Sequence, residues 1–342
     1  MSASAPPTDS FGRPIDYLRI SVTERCDLHC AYCQPEPNLP AGLSAGRLEG
    51  CRVGGEAPSR DLLSQDDIVA IAAAALRLGL RRIRLTGGEP LLRRDLGEII
   101  SRLRQLPGLL DLALTTNGQT LAGRASSLAD AGLMRINVSL DSLDPEVYAA
   151  ATGGGDLGAV RRGIEAALAA GLAPVKVNVV LSSPAALERA GLPAFADLIR
   201  QQPVHVRFIE AMPTCSHVGY LPAQSVLDFL ARHYELSPAP GPDGGGPARY
   251  YQLDGSRGTI GVITPISDPF CARCNRLRVS ARGELRPCLF SPHGIDLLPA
   301  LRGTDRDADL LSLLAQAVAA KPRRYGDVAE PSGIPTMHVI GG

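Results

Sequence analysis

The sequence predicts an α/β fold of six βα repeats, arranged as a partial barrel or an open sheet, and three observations carry that reading. From residue 18 to about 235, short apolar runs alternate with helix-like stretches. The strand segments carry polar residues on one face only. Loops of unusual composition follow the strands at corresponding places, and in parallel α/β folds the reactive site lies at the carboxyl ends of the strands.

The strands fall near 18–22 (LRISV), 82–86 (RIRLT), 112–116 (LALTT), 135–140 (RINVSL), 175–181 (VKVNVVL) and 204–209 (VHVRFI). Helical segments fall at 65–78, with Ser64 as N-cap and Asp66 and Asp67 in the first turn, and at 95–106, 123–131 and 157–170. A parallel sheet covered on both faces reads as nearly continuous apolar sequence. These strands do not. Arg19 and Ser21 share a face, as do Arg82, Arg84 and Thr86, Thr115 and Asn117, Asn137, Ser139 and Asp141, Lys176 and Asn178, and His205 and Arg207. Ile83 and Leu85, Ile136 and Val138, and Val175 and Val177 occupy the opposite faces. An apolar face under helices and a polar face toward a shared cavity satisfies both sets. An antiparallel sheet with one solvated face is the alternative, and the intervening helices weigh against it. The loops at the strand ends are RCDLHCAYC (25–33), TGGEP (86–90), TTNG (115–118), SLD (139–141) and EAMP (210–213).

Beyond residue 235 the pattern changes, which divides the chain into 1–235 and 236–342. SPAPGPDGGGP (237–247) reads as a flexible loop or domain boundary. Strands follow at 249–253 and 258–263, then helices near 296–302 and 306–320 and the tail MHVIGG. A Pro- and Gly-rich insertion spans roughly 35–60.

Composition narrows the function. The formal net charge is +0, so a broad positive field for nucleic acid or an anionic membrane is absent, and any anion must be met locally. No apolar run reaches the length of a membrane span, and MSASAPPTDS lacks the features of a signal peptide, so a cytoplasmic location is expected. Of 35 basic residues only Lys176 and Lys321 are lysine. Eight cysteines in a reducing compartment are metal ligands or redox groups more readily than disulfides. Six are clustered: Cys26, Cys30 and Cys33 as C-x₃-C-x₂-C, and Cys271, Cys274 and Cys288 as C-x₂-C-x₁₃-C. Cys51 and Cys215 read as incidental thiols. A single Cys₄ zinc site from Cys30, Cys33, Cys271 and Cys274 leaves Cys26 and Cys288 without a role. Two cubane clusters, each held by three thiolates, use all six and leave one iron of each without a protein ligand.

C-x₃-C-x₂-C after the first strand, followed by GGEP, resembles the radical S-adenosylmethionine (radical SAM) superfamily. The second group with NRLR directly after CARC, and the terminal Gly-Gly, narrow the resemblance to the GTP 3′,8-cyclase (molybdenum cofactor biosynthesis protein A) family, from FGRPIDYLRISVTERC to the last residue. The resemblance implies a partial (βα)6 radical SAM barrel with a C-terminal α+β region carrying a second iron–sulfur cluster. It implies that Cys26, Cys30 and Cys33 hold one [4Fe-4S] cluster, whose free iron binds S-adenosylmethionine, and that Tyr32, Gly88, Glu89, Ser139 and Met212 contact that cofactor. It implies a second [4Fe-4S] cluster on Cys271, Cys274 and Cys288, with its free iron on the guanine of GTP. Arg19, Arg84, Thr115, Lys176, Arg207, Arg276 and Arg278 match positions around the GTP. The catalytic set would be Arg276, Arg278, Gly341 and Gly342, the last two inserting into the active site.

The implied chemistry is reductive cleavage of S-adenosylmethionine to methionine and a 5′-deoxyadenosyl radical. That radical removes hydrogen from ribose C3′, and the carbon radical attacks guanine C8. The product is (8S)-3′,8-cyclo-7,8-dihydroguanosine 5′-triphosphate, in the first step of molybdenum cofactor biosynthesis. Implied partners are a reductase or a flavodoxin or ferredoxin as electron donor and cyclic pyranopterin monophosphate synthase as the next enzyme; a homodimer stays open. Arg82 stands where the family often has Lys, and the 35–60 insertion is longer than the family pattern. The competing readings are a peptide-modifying radical SAM enzyme with an auxiliary cluster, and a zinc-binding protein without catalysis.

Overall fold

The computed structural model of the chain describes residues 5–30, 32–33, 46–47, 62–181, 191–212, 216–217, 220–328 and 337–340. Most of the 35–60 insertion with Cys51, and also Cys215, Gly341 and Gly342, lie outside the described residues. The strands are β1 (Tyr17–Ser21), β2 (Arg82–Thr86), β3 (Asp111–Thr116), β4 (Arg135–Ser139), β5 (Val175–Leu181), β6 (Val204–Glu210), β7 (Leu236–Ala239), β8 (Arg249–Leu253), β9 (Thr259–Ile263), β10 (Arg276–Val279), β11 (Glu284–Arg286) and β12 (Ile295–Asp296). The main helices are α1 (Gln65–Leu78), α2 (Leu96–Arg104), α3 (Ala125–Asp130), α4 (Pro145–Thr152), α5 (Leu157–Ala169), α6 (Leu192–Gln201), α7 (Gln224–His233), α8 (Leu298–Arg302), α9 (Arg306–Ala319) and α10 (Met337–Ile340).

These twelve strands form one sheet in the order β12-β11-β10-β1-β2-β3-β4-β5-β6-β9-β8-β7, and among the described residues Gly46–Arg47 and Ser216–His217 pair antiparallel as a separate two-stranded sheet. From β10 through β9 every pairing is parallel. The expected six parallel strands are therefore flanked by two more from the C-terminal region, with an antiparallel pair beyond each. Among the described residues no helix is long and apolar enough to cross a membrane.

The helices follow from their termini and stripes. Ser64 and Asp67 form a reciprocal capping box on α1, Gly79 ends it at φ 113°, and Ile68, Ile71, Ala72, Ala75 and Leu76 recur at helical spacing and are buried. The sequence reading missed α4, α6 and α7. On α4, Asp144 caps two backbone amides ahead of Pro145, and Gly153 stops the helix. The apolar faces of β2, β4 and β5 meet the helices, and Ile83, Leu85, Ile136, Val138, Val175 and Val177 are 0% exposed. Each such side chain contributes about 1.5–3 kcal/mol relative to an exposed one.

SPAPGPDGGGP is packed on the sheet rather than standing free of it. Its first residues complete β7, and the remainder lies across the N-terminal ends of β2, β4 and β5. The Asp243 carbonyl accepts from Lys176 Nζ at 2.7 Å, the Gly244 carbonyl accepts from Arg135 Nη2 at 3.2 Å, and Gly245 packs on Arg82. Arg135 is aimed by a two-pronged pair with Asp111, its Nε donating to Oδ1 at 2.6 Å and its Nη2 to Oδ2. Gly244 has φ 92°, and a Cβ there would fall 2.3 Å from the Arg135 guanidinium, so both conformation and space require glycine.

Candidate active site

One cavity of about 450 Å³ runs along the polar face of the sheet, and it brings the two cysteine groups together with the strand cations. The groups sit at opposite ends. Cys26, Cys30 and Cys33 follow the C-terminal end of β1. Cys274 comes two residues before Arg276, which pairs with Tyr17 at the start of β1. Cys288 reaches the same level because β11 runs antiparallel to β10, with Arg286 opposite Arg278, so two more residues return the chain to the height of Arg276. At about 3.3 Å of rise per residue, β1 separates the two levels by about 13 Å. The sequence argument placed five loops at the carboxyl ends of the strands; the second thiol group lies at the other end, Cys271 and Cys274 because they precede the parallel β10 and Cys288 because β11 returns antiparallel.

At the first end, short contacts tie the strand-end loops together. Gly88 N donates to the Thr23 carbonyl at 2.8 Å and Glu89 N to the Arg25 carbonyl at 2.7 Å. A Cβ on Gly88 would lie 2.4 Å from the Arg25 carbonyl oxygen, so this approach needs glycine. The Glu89 carboxylate is 1% exposed and stands behind the wall, accepting from Leu91 N at 2.9 Å and from Thr116 Oγ1 and Asn117 N at 2.7 Å. Burial raises its pKa to about 7 against those three donors. Asn117 Nδ2 donates to Asp27 Oδ1 at 2.7 Å, bracing the loop that carries Cys26. Tyr32 donates to Asp141 Oδ2 at 3.0 Å while Asp141 Oδ1 accepts from Val180 N at 2.8 Å, and burial raises Asp141 to about 6. Tyr32, Gly88, Ser139 and Met212 line the cavity. Burial pushes the Cys30 thiol well up, followed by the charges of Asp141, Cys33 and Cys26.

Between the ends lies a concentration of positive charge. The register sets Arg278, Arg19 and Arg84 side by side on three adjacent parallel strands. Arg84 Nε donates to the Tyr17 hydroxyl at 2.5 Å and its Nη1 to Thr115 Oγ1 at 3.2 Å; Arg207 Nη2 donates to Asn178 Oδ1 at 2.6 Å. Arg207 Nε and Asn137 Oδ1 are buried without a hydrogen-bond partner. Burial, then the Arg278 and Arg84 charges, hold Arg19 well below the usual guanidinium range, and burial brings Arg278, with Arg276 against it, and Arg207 to about 10. Lys176 is 0% exposed and lies beneath the glycine loop rather than in the wall, its pKa lowered to about 6 by burial and then Arg207, Arg135 and Arg84. Crowded, desolvated like charges are costly in the empty protein, and an anion in the cavity relieves them.

At the second end, Arg276 lies over the Phe270 ring at 5.1 Å. Burial raises the Cys274 thiol, but Arg276 and Lys321 outweigh it and bring it down to about 7. All six cysteines are half-buried, unbridged and face the cavity. Cys30 and Cys33 lie at the opposite end of β1 from Cys271 and Cys274, so the composite zinc site of these four is not brought together. Sequence reasoning missed Tyr17, Lys321 and the glycine loop. Tyr17 fell just outside the strand expected at 18–22. Only the scarcity of lysine pointed to Lys321.

A parallel barrel with C-x₃-C-x₂-C on its first strand loop, above a cation-lined cavity, defines a radical SAM enzyme, and residues 20–183 match the Radical SAM superfamily. Residues 204–327 match the family Molybdenum Cofactor Synthesis C. The chain is 44% identical over 323 residues to a GTP 3′,8-cyclase of Pelotomaculum thermopropionicum, covering 93% of this chain and 94% of the relative. It is 42% identical over 321 residues to a GTP 3′,8-cyclase of Moorella thermoacetica, with the same coverage. The chain belongs to the GTP 3′,8-cyclase family. Among solved structures, Streptococcus suis SuiB bound to S-adenosylmethionine shares the fold, with a TM-score of 0.56 at 15% identity over 88% of this chain and 65% of that one.

Proposed function

We propose that the chain converts GTP to (8S)-3′,8-cyclo-7,8-dihydroguanosine 5′-triphosphate, the first step of molybdenum cofactor biosynthesis, using S-adenosylmethionine and two [4Fe-4S] clusters. The observation that carries it is the placement of two sets of three thiols at opposite ends of one cavity, with a row of guanidiniums between them. A cluster held by three thiolates keeps one iron open, and unbridged thiols facing a common space fit that demand. The cations that lower Cys274 favour the thiolate a cluster needs.

The bound groups supply radical chemistry, and the protein supplies position and exclusion of water. In this reading Cys26, Cys30 and Cys33 hold the first cluster. Tyr32, Gly88, Ser139 and Met212 contact S-adenosylmethionine, and Glu89, buried behind them, fixes the loops that do so. Cys271, Cys274 and Cys288 would hold the second cluster, which when bound would supply a site for guanine. Arg19, Arg84, Arg207, Arg276 and Arg278 meet the triphosphate, and Thr115 orients Arg84 as well as touching substrate. Lys176 reaches a phosphate only if the glycine loop yields its carbonyls. Gly341 and Gly342 complete the site from the tail; Met337, four residues upstream, lines the cavity. The barrel is assigned to 1–235 and the auxiliary-cluster region to 236–342. A flavodoxin, ferredoxin or reductase supplies electrons in the cytoplasm, and cyclic pyranopterin monophosphate synthase takes the product.

The test is anaerobic incubation of reduced, reconstituted protein with S-adenosylmethionine and each of GTP, ATP or no nucleotide. GTP is expected to accelerate 5′-deoxyadenosine formation at least tenfold over the other two, about 1.4 kcal/mol of barrier. Equal rates in all three would rule out GTP as the substrate.

A further inference from the structure

Two buried cations outside the expected site brace the second cysteine group. Arg13 is 6% exposed; its Nε donates to Asp9 Oδ2 at 2.6 Å, its Nη1 to the Cys271 carbonyl at 2.7 Å and the Arg323 carbonyl at 3.0 Å, and its Nη2 to the Pro322 carbonyl at 2.7 Å. It thereby fastens the backbone of one candidate ligand to the segment that follows α9. That segment begins with Lys321, which is 3% exposed and lines the cavity.

Lys321 Nζ donates to the Arg276 carbonyl at 2.8 Å and to the Pro287 carbonyl at 2.7 Å. Its position explains why it matters. The β10–β11 pairing has Arg278 opposite Arg286 and Val279 opposite Leu285. Toward the thiols, where the next carbonyls fall, the ammonium joins the two chains. The Arg276 carbonyl is two residues after Cys274, and the Pro287 carbonyl immediately precedes Cys288. An ammonium has three donors, and with two spent on these carbonyls its charge still stands at the cavity that Cys274 and Cys288 also line.

We propose that Lys321 is the positioning residue of the second iron–sulfur centre: it sets the separation of the Cys274 and Cys288 segments and places a fixed positive charge against that centre. This rests on the reading that Cys271, Cys274 and Cys288 hold a cluster. A reduction potential follows the net charge of a cluster and the hydrogen bonds to its sulfurs, so a cation at the ligands favours the electron-rich state. Removing it makes the potential more negative.

The experiment uses the full chain carrying Cys26→Ala, Cys30→Ala and Cys33→Ala, in which only the second centre can assemble. Iron and labile sulfide are measured first, then the one-electron potential by spectroscopically monitored redox titration, for this background and with Lys321→Met or Lys321→Arg added. The background is expected to hold one cluster. Lys321→Met is expected to shift the reduction equilibrium about tenfold toward the oxidised form, about 59 mV for one electron, with Lys321→Arg restoring most of it. Loss of the cluster in Lys321→Met but not in Lys321→Arg also supports the proposal, because reach and charge then decide retention. An unchanged potential in both variants overturns it while leaving the cluster assignment intact. Loss of the cluster in both, with the circular dichroism of the background retained, overturns it as well. A background without labile sulfide removes the cluster reading itself, and the proposal with it.

Discussion

Cys30→Ala is expected to abolish 5′-deoxyadenosine formation and to lower the iron content of the reconstituted protein from about eight to about four per chain. Cys30 is the middle thiol of its group, and burial, then the charges of Asp141, Cys33 and Cys26, push its pKa well up. The loop holding it is fixed independently, by His29 N on the Thr152 carbonyl and by Asn117 on Asp27, so the substitution removes a ligand without releasing the loop. The second cluster should persist, because its three thiols hang from β10, β11 and the segment before them, at the far end of the cavity. Iron analysis with labile sulfide reads this directly. Retention of all the iron would show that Cys30 is not a ligand.

Arg278→Met is expected to weaken GTP binding about 10- to 100-fold, the loss of one or more charge-assisted hydrogen bonds, with cluster content and S-adenosylmethionine binding unchanged. The distinguishing signature is stability. Arg278 is 8% exposed and shares its row with Arg19 and Arg84, so a methionine of similar reach removes repulsion from the empty protein. The variant should unfold at the same or a higher denaturant concentration than the parent, while a residue needed for the fold would lower it. Function and stability then move in opposite directions, as they do where a site holds charges for a ligand. Equilibrium denaturation beside GTP titration checks both halves.

The part of the fold with period-two alternation was legible. β2 and β5 have the expected bounds, and most of the polar strand residues, among them Arg19, Arg84, Thr115, Asn137, Asn178 and Arg207, line one cavity because side chains alternate, while Ser21, Lys176 and His205 do not reach it. What escaped was set by partners far away in sequence. RLRV at 276–279 is four residues long with two arginines, and it becomes a strand by pairing with Tyr17–Ile20 on one side and Leu285–Arg286 on the other. SPAPG reads as a break, yet Ser237 and Pro238 pair along an edge strand, where proline is tolerated. Helix α4 hid behind its short apolar face.

The site divides in the same way. Local spacing revealed both cysteine groups and the strand cations. It did not reveal that Glu89 and Lys176 would stand behind the cavity wall, since that depends on three loop donors for one and on the glycine loop for the other. Nor did it show the second thiol group at the opposite end from the first, which follows from the directions of β10 and β11.

The measurement that tests the central claim most directly uses GTP carrying deuterium at ribose C3′, with S-adenosylmethionine and reduced protein, and mass analysis of both products. The proposed reaction predicts that deuterium appears in 5′-deoxyadenosine and is absent from C3′ of a cyclised nucleotide. Unlabelled 5′-deoxyadenosine alongside GTP recovered with its label intact would contradict the account.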